Sequence, residues 1–200
     1  MNLLETVRYL HVHHFDDSLD FNAIVKLLGE VFSCSVFILD VSGNFLGVYS
    51  KKKIECPIFL EMLKRGKMDV SNMARINMLT EGTENVFRKN NVCAINPINK
   101  CNRQKRCIYE VPMIIYGKRE GVIVFTRGND NKFTVEEKAL FELVATIIGL
   151  EYLHNKEQKE KLLQIERNKI YSLLSSLTLS EKNALQNVLE YMDGSLEKIL

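Results

Sequence analysis

The sequence carries almost no net charge: 27 basic against 25 acidic side chains in 200 residues leave +2 at neutral pH. That balance is too small to draw in nucleic acid, an acidic substrate or a membrane by bulk electrostatics, so any such partner has to be met locally. No apolar run approaches the roughly 20 residues a bilayer needs, and Met1-Asn2-Leu3-Leu4-Glu5 opens without a basic leader. A cytoplasmic protein is expected. The signatures of several chemistries are missing too. There is no G-x-x-x-x-G-K-[ST] loop and no G-x-G-x-x-G after a strand, which removes the two glycine-rich phosphate cradles. Neither G-x-S-x-G nor H-E-x-x-H occurs. Five cysteines, an odd number without a secretion signal, are expected as free thiols in a reducing compartment.

What the chain does have is a series of amphipathic segments. With 46% hydrophobic and 26% charged residues it has the composition of an ordinary globular protein, either one domain with an appendage or two small ones. Leu3 to about Phe15 is expected as a helix. Its His11, His13 and His14 suggest a metal, but neighbouring helical positions diverge by about 100° and no acidic or thiol cluster completes a site, so no metal is expected. Asp20 suits the N-cap of a second helix, whose apolar face is Phe21, Ile24, Val25, Leu28, Val31 and Phe32.

Two hairpins follow. Ser35 to Asp40 and Phe45 to Tyr49 flank the turn residues Ser42-Gly43-Asn44; Cys107 to Tyr116 and Gly121 to Thr126 flank a turn at Gly117-Lys118. Between them, Pro57 opens a helix carrying Ile58, Phe59, Met62 and Leu63, which Gly66 ends. Val70 to Leu79 is a further helix with Met73, Ile76, Leu79 and Met78 turned inward. Thr80 to Asn85 reads as a loop, Val92 to Ile95 as a short strand, and Asn99 to Arg106 as a basic loop. Strands that pair as hairpins rather than through helical crossovers predict an α+β fold, an antiparallel sheet with helices over it. Such an arrangement commonly leaves a pocket between the sheet and the inserted helices.

The rest is organised around one long helix from about Phe133 to Leu177. Thr134 and Glu137 form a capping box at its start, and Leu140, Leu143, Val144, Ile147 and Ile148 give a stripe to be buried. Residues 156 to 161 contain no apolar side chain. Leu163, Ile170 and Leu177 then return at seven-residue steps, the seam of a short coiled coil or of a docked helix. Thr178 and Glu181 make a second capping box before an amphipathic helix with Ala184, Leu185, Val188 and Leu189, which Asp193-Gly194 is expected to stop.

Two groups of residues suggest chemistry. Cys93, Cys101 and Cys107 have seven and five residues between them, wider than a zinc knuckle; they read as structural thiols, as a metal site, or as a redox pair activated by Arg103, Lys105 or Arg106. Phe59, Met62, Met68, Ile95 and Val111 could line a ligand pocket or simply fill a core. The basic residues between 100 and 106 could meet an anionic ligand or DNA, or be solvated.

Ser175-Ser176-Leu177-Thr178-Leu179-Ser180-Glu181, followed by Asp193-Gly194, resembles the linker and first output helix of the CodY family of bacterial transcription regulators. The start Met1-Asn2-Leu3-Leu4, the first hairpin, Val111-Pro112-Met113-Ile114, the segment Gly121 to Arg127, Ala145-Thr146 and Gly149-Leu150-Glu151 are similar to that family in order and spacing. The resemblance implies a GAF/PAS-like ligand-sensing domain over 1–154, a linker helix over 155–177 and the incomplete start of a winged helix-turn-helix over 178–200. It further implies a dimeric repressor without catalytic activity, whose DNA binding responds to branched-chain amino acids and to GTP. It places the ligand site at Phe59, Met62, Met68, Cys93, Ile95 and Pro97. Two departures stand out. Ile58 occupies the place where the family has an arginine for the effector's carboxylate, leaving Lys53, Arg65 or Arg75 as substitutes. The sequence also reaches Leu200 before a recognition helix, the element that would read bases. The rival readings are a GAF-type reductase of free methionine sulfoxide, using the three thiols, and a ligand-free dimerisation module.

Overall fold

Asp20 starts the first described helix: its carboxylate accepts from the backbone N–H groups of Asn22 and Ala23 at 3.0 and 3.1 Å, satisfying two amides that the first turn leaves without partners. The structure, a computed structural model, describes residues 20–54, 56–84, 106–128 and 132–196. The expected helix from Leu3 with its histidines, the strand at 92–95 and the basic loop up to 105 lie outside the described residues.

In chain order the elements are α1 (Phe21–Val31), β1 (Ser35–Asp40), β2 (Phe45–Tyr49), α2 (Pro57–Arg65), α3 (Val70–Ile76), β3 (Thr83–Glu84), β4 (Arg106–Ile115), β5 (Lys118–Gly128), α4 (Val135–Ser176) and α5 (Leu179–Leu196). The strands form one antiparallel sheet in the order β2-β1-β5-β4-β3. The expected α+β architecture is therefore present, with two hairpins side by side. The second hairpin turns at Tyr116 and Gly117, one residue earlier than predicted; both have positive φ, 50° and 74°, the pairing that a two-residue turn matched to strand twist requires. Thr83 and Glu84, expected in a loop, pair with Glu110 and Tyr109 as a strand beside β4. Polar side chains do not prevent this, since the ladder is made by backbone groups.

Alternation along the strands gives the sheet two buried faces. Val36, Ile38, Tyr109, Val111, Met113, Ile123 and Phe125 pack against α1 and the first part of α4. Phe37, Leu39 and Val122, with Val124 beside them, pack on the opposite face against α2 and α3. Phe141 is central to the α4 side, stacked on Phe125 at 3.8 Å and edge-on to Phe32 and Phe133 at 4.8 and 5.1 Å. The buried stripe of α4 is Phe141, Val144, Ala145, Ile148 and Gly149, whereas Leu143, expected inside, is 51% exposed. The stripe is therefore centred on the aromatic ring, with Leu140 and Ile147 as its half-buried margins.

The chain divides into two compact units, 1–155 and 156–200. In the second unit every described side chain from Lys156 to Tyr191 is exposed except Leu174 and Leu177, which are half-buried. Its predicted capping box is formed: Thr178 N–H donates to Glu181 at 2.8 Å and Glu181 N–H to the Thr178 hydroxyl at 3.4 Å. Gly194 does not stop α5, which continues to Leu196; an interior glycine costs a helix about 1 kcal/mol but does not oblige it to end.

Candidate functional site

The face of the sheet beneath α2 and α3 is built by local sequence signals. Pro57 supplies a first helical residue whose missing N–H is not needed, and Gly66 closes α2 in the left-handed conformation at φ 68°. The segment after Gly66 is stitched to the β1–β2 turn. Phe45 N–H donates to Gly66 O at 2.9 Å, Met68 N–H to Gly43 O at 2.8 Å, and Asn44 bridges to Lys67. Asp40 holds that turn, accepting from the backbone of Ser42 and Asn44 at 2.8 and 2.9 Å. Gly43 has φ +85°, and a Cβ there would lie 2.7 Å from Met73 Cγ, so the turn and α3 fit only because the side chain is absent.

Phe59 meets Phe37 edge-on at 5.1 Å and Phe45 at 6.0 Å. Met68 packs beside them, and Met62 is fully buried. Of the six site residues expected from sequence, Phe59, Met62 and Met68 thus belong to α2 and the segment after it, while Cys93, Ile95 and Pro97 lie outside the described residues. Val111 does not belong to this face: it is buried against α1 and α4. Met78, expected inside, is 81% exposed because α3 ends at Ile76.

The residue that sequence reading missed is Glu110. In β4 it pairs with Val124, and Val124 pairs with Phe37, so the three side chains form one row across the face that α2 and α3 cover. Glu110 is only 6% exposed, and its Oε2 has no hydrogen-bond partner among the described residues. Burial pushes its carboxyl up to about 7, with the nearby Arg75 guanidinium pulling the other way. Arg75, half-buried on α3, donates to Asn72 Oδ1, and Asn72 is itself buried. The other two cations considered as substitutes are elsewhere: Lys53 is exposed, and Arg65 pairs on the surface with Asp69 at 2.5 Å. A lone acid between Ile108-Tyr109 and the apolar run Val111-Pro112-Met113-Ile114-Ile115 was the available signal.

One link runs from the edge of this face to α4. Glu84, next to the Thr83 that pairs with Glu110, accepts from Lys138 Nζ at 2.6 Å and from the Cys107 thiol at 3.1 Å. The Lys138 bond, with the thiol's, holds the Glu84 carboxyl below its usual range.

Cys34 and Cys107 do not have the character of redox thiols. Burial and the bond to Glu84 push the Cys107 thiol up, and it lies on the α1/α4 face; burial pushes Cys34 to about 12. A reactive cysteine needs the opposite shift. Cys93 and Cys101 lie outside the described residues. Among the described residues, no group of three or more potential ligands could hold a metal, and no helix is long and apolar enough to cross a membrane.

Residues 2–171 match the model of the CodY GAF-like domain. The global transcriptional regulator CodY of Anoxybacillus flavithermus is 28% identical over 98% of this chain and 76% of its own length. That of Clostridium beijerinckii is 25% identical over 88% of this chain and 67% of its own. Among solved structures, the cofactor-binding GAF domain of the nutrient sensor CodY from Clostridium difficile superposes with a TM-score of 0.52 at 23% identity, covering 74% of this chain and 96% of that one. It supports the same fold.

Proposed function

The chain belongs to the CodY family of global transcriptional regulators, and from that premise we propose that its first unit senses an apolar amino acid, a branched-chain one, on the face beneath α2 and α3. The observation that carries this reading is the row Phe37, Val124, Glu110. It joins aromatic and aliphatic surface, with Phe59 resting on it, to a buried carboxyl whose Oε2 has no partner among the described residues. A site for a small charged molecule with an aliphatic side chain needs both parts. GTP as a second effector rests on the family alone.

In this reading residues 1–154 sense, 155–177 link, and 178–200 begin a winged helix-turn-helix output, so that the protein acts as a cytoplasmic repressor rather than an enzyme. The exposed Leu163, Ile170 and Leu173 of α4 provide the seam of a homodimer. An effector switches such a protein only by binding two arrangements unequally. Calorimetric titration of the full chain with isoleucine, leucine and valine, paired with thermal melts, tests the sensing role. Saturable heat and a raised Tm with at least one of them is the expected result; no heat and no shift with any of the three removes it.

A further inference from the structure

Among the described residues three buried polar atoms have no hydrogen-bond partner: Glu110 Oε2, Arg119 Nη1 and Thr126 Oγ1. Arg119 is accounted for by its other nitrogen, which donates to the Leu79 carbonyl just after α3 and so anchors that helix. Glu110 and Thr126 are different. Thr126 pairs with Ser35 and Ile108, one row along from the row of Val124 and Glu110, so both unpartnered groups stand on the face beneath α2 and α3. A buried carboxyl with a vacant oxygen is expensive, and a leucine or glutamine would fill the same space at lower cost. Its presence is accounted for if something brought to that face completes it.

Arg75 is the neighbouring positive charge, close enough to act on the Glu110 carboxyl and held in place by buried Asn72. The helix that covers Phe37 offers no cation of its own: the basic residues of α2, Lys64 and Arg65, are in its last turn and exposed. The face therefore sets the buried Glu110 carboxyl within the influence of the half-buried Arg75 guanidinium. Phe37 lies two strands from Glu110 on the same row, roughly 10 Å by strand spacing. The row thus has a polar end at Glu110 and an aromatic end at Phe37 and Phe59.

Resting on the sensing role above, we propose that Arg75 and Glu110 are the polar end of the effector site, Arg75 donating to the ligand's α-carboxylate and Glu110 accepting from its α-ammonium group. The ligand class is a free zwitterionic amino acid; an acid without an amine satisfies half of the site, as does an amine without an acid.

The test uses the full chain and calorimetry with isoleucine, leucine and valine, then with the 2-oxo acid and the decarboxylated amine of whichever binds. Wild type is expected to bind the amino acid at least about 10-fold more tightly than either analogue. Glu110→Gln is expected to weaken the amino acid about 10- to 100-fold while leaving the oxo acid within twofold; Arg75→Met is expected to weaken it similarly while leaving the amine within twofold. If wild type binds an amino acid and either analogue equally well, the assignment falls without recourse to any variant. If it binds the amino acid and both variants do so unchanged, the pair is wrong and the sensing role stands. If wild type binds none of the three amino acids, the sensing role itself fails and the pair with it.

Discussion

Arg127 and Glu137 form a two-point fork between the end of β5 and the first turn of α4, with Nη1 to Oε1 at 2.8 Å and Nη2 to Oε2 at 2.6 Å. The same carboxylate accepts from Thr134 N–H at 2.8 Å, so the capping box and the strand share one acid, and the guanidinium rests 4.1 Å from the centre of the Phe133 ring. Bidentate charged pairs of this kind fix orientation as well as energy. The long helix thus leaves the sheet from a defined point.

Glu137→Gln is expected to lower stability by about 2 kcal/mol at pH 7, measured by urea unfolding. Burial raises the Glu137 carboxyl, but the bonds from Arg127 and Thr134 outweigh it and hold the group below its usual range. Its contribution is therefore complete above the ordinary carboxylate pKa and is lost as pH falls through the depressed folded value. The gap between wild type and variant has to close in acid; a gap that persists there would mean the glutamine acts by shape instead.

Phe141→Ala should lower stability by about 3–5 kcal/mol, since the ring is fully buried among Phe32, Phe125 and Phe133. Phe141→Leu should lose clearly less. Equal losses in denaturant unfolding would show that volume there does not matter.

Glu110 gives a pH dependence of opposite sign. Its folded pKa of about 7 lies above the 4.5 of an ordinary glutamate, so the folded state binds the extra proton and stability falls as pH rises from 4.5 to 7. At 1.36 kcal/mol per unit the fall is about 3 kcal/mol. Glu110→Gln should remove that slope and make the ligand-free protein more stable at pH 8, as read from urea midpoints across the range. Parallel profiles for the two proteins would contradict the burial of a titrating acid at this position.

Gly43→Ala should destabilise by about 1–2 kcal/mol, because φ +85° disfavours a Cβ and Met73 Cγ stands 2.7 Å from where it would go. The displaced Met73 carries α3 and Arg75 with it, so effector affinity should drop along with Tm. An unchanged Tm would mean the turn relaxes freely.

In light scattering, wild type should have twice the chain mass, and Leu163→Glu with Ile170→Glu should halve it. Both side chains are 56% exposed in the single chain and repeat at the seven-residue step of an interhelical seam. A monomeric wild type would remove the dimer.

Much of this fold was legible because it is written locally. Asp20, the pair Thr134 and Glu137, and Pro57 with Gly66 mark helix ends through contacts within four residues, and each does so in the structure. What depends on distant strands was not legible. Alternation says that Glu110 and Val111 face opposite ways, but only the pairing with β5 decides which of them meets α2 and α3. Thr83 and Glu84 become a strand because β4 offers them an edge, which no window around residue 83 reveals. Along α4 the expected stripe holds at Val144 and Ile148 but not at Leu143, because its centre is Phe141, whose contacts lie with residues 8 to 109 positions away.

The pairing of β3 with β4 has a mechanical meaning. Its inner neighbour across the ladder is Glu110, and its own Glu84 grips Lys138 on α4. Any shift in how β4 sits at that row is passed sideways to this clasp, and the clasp has its other half on the long helix.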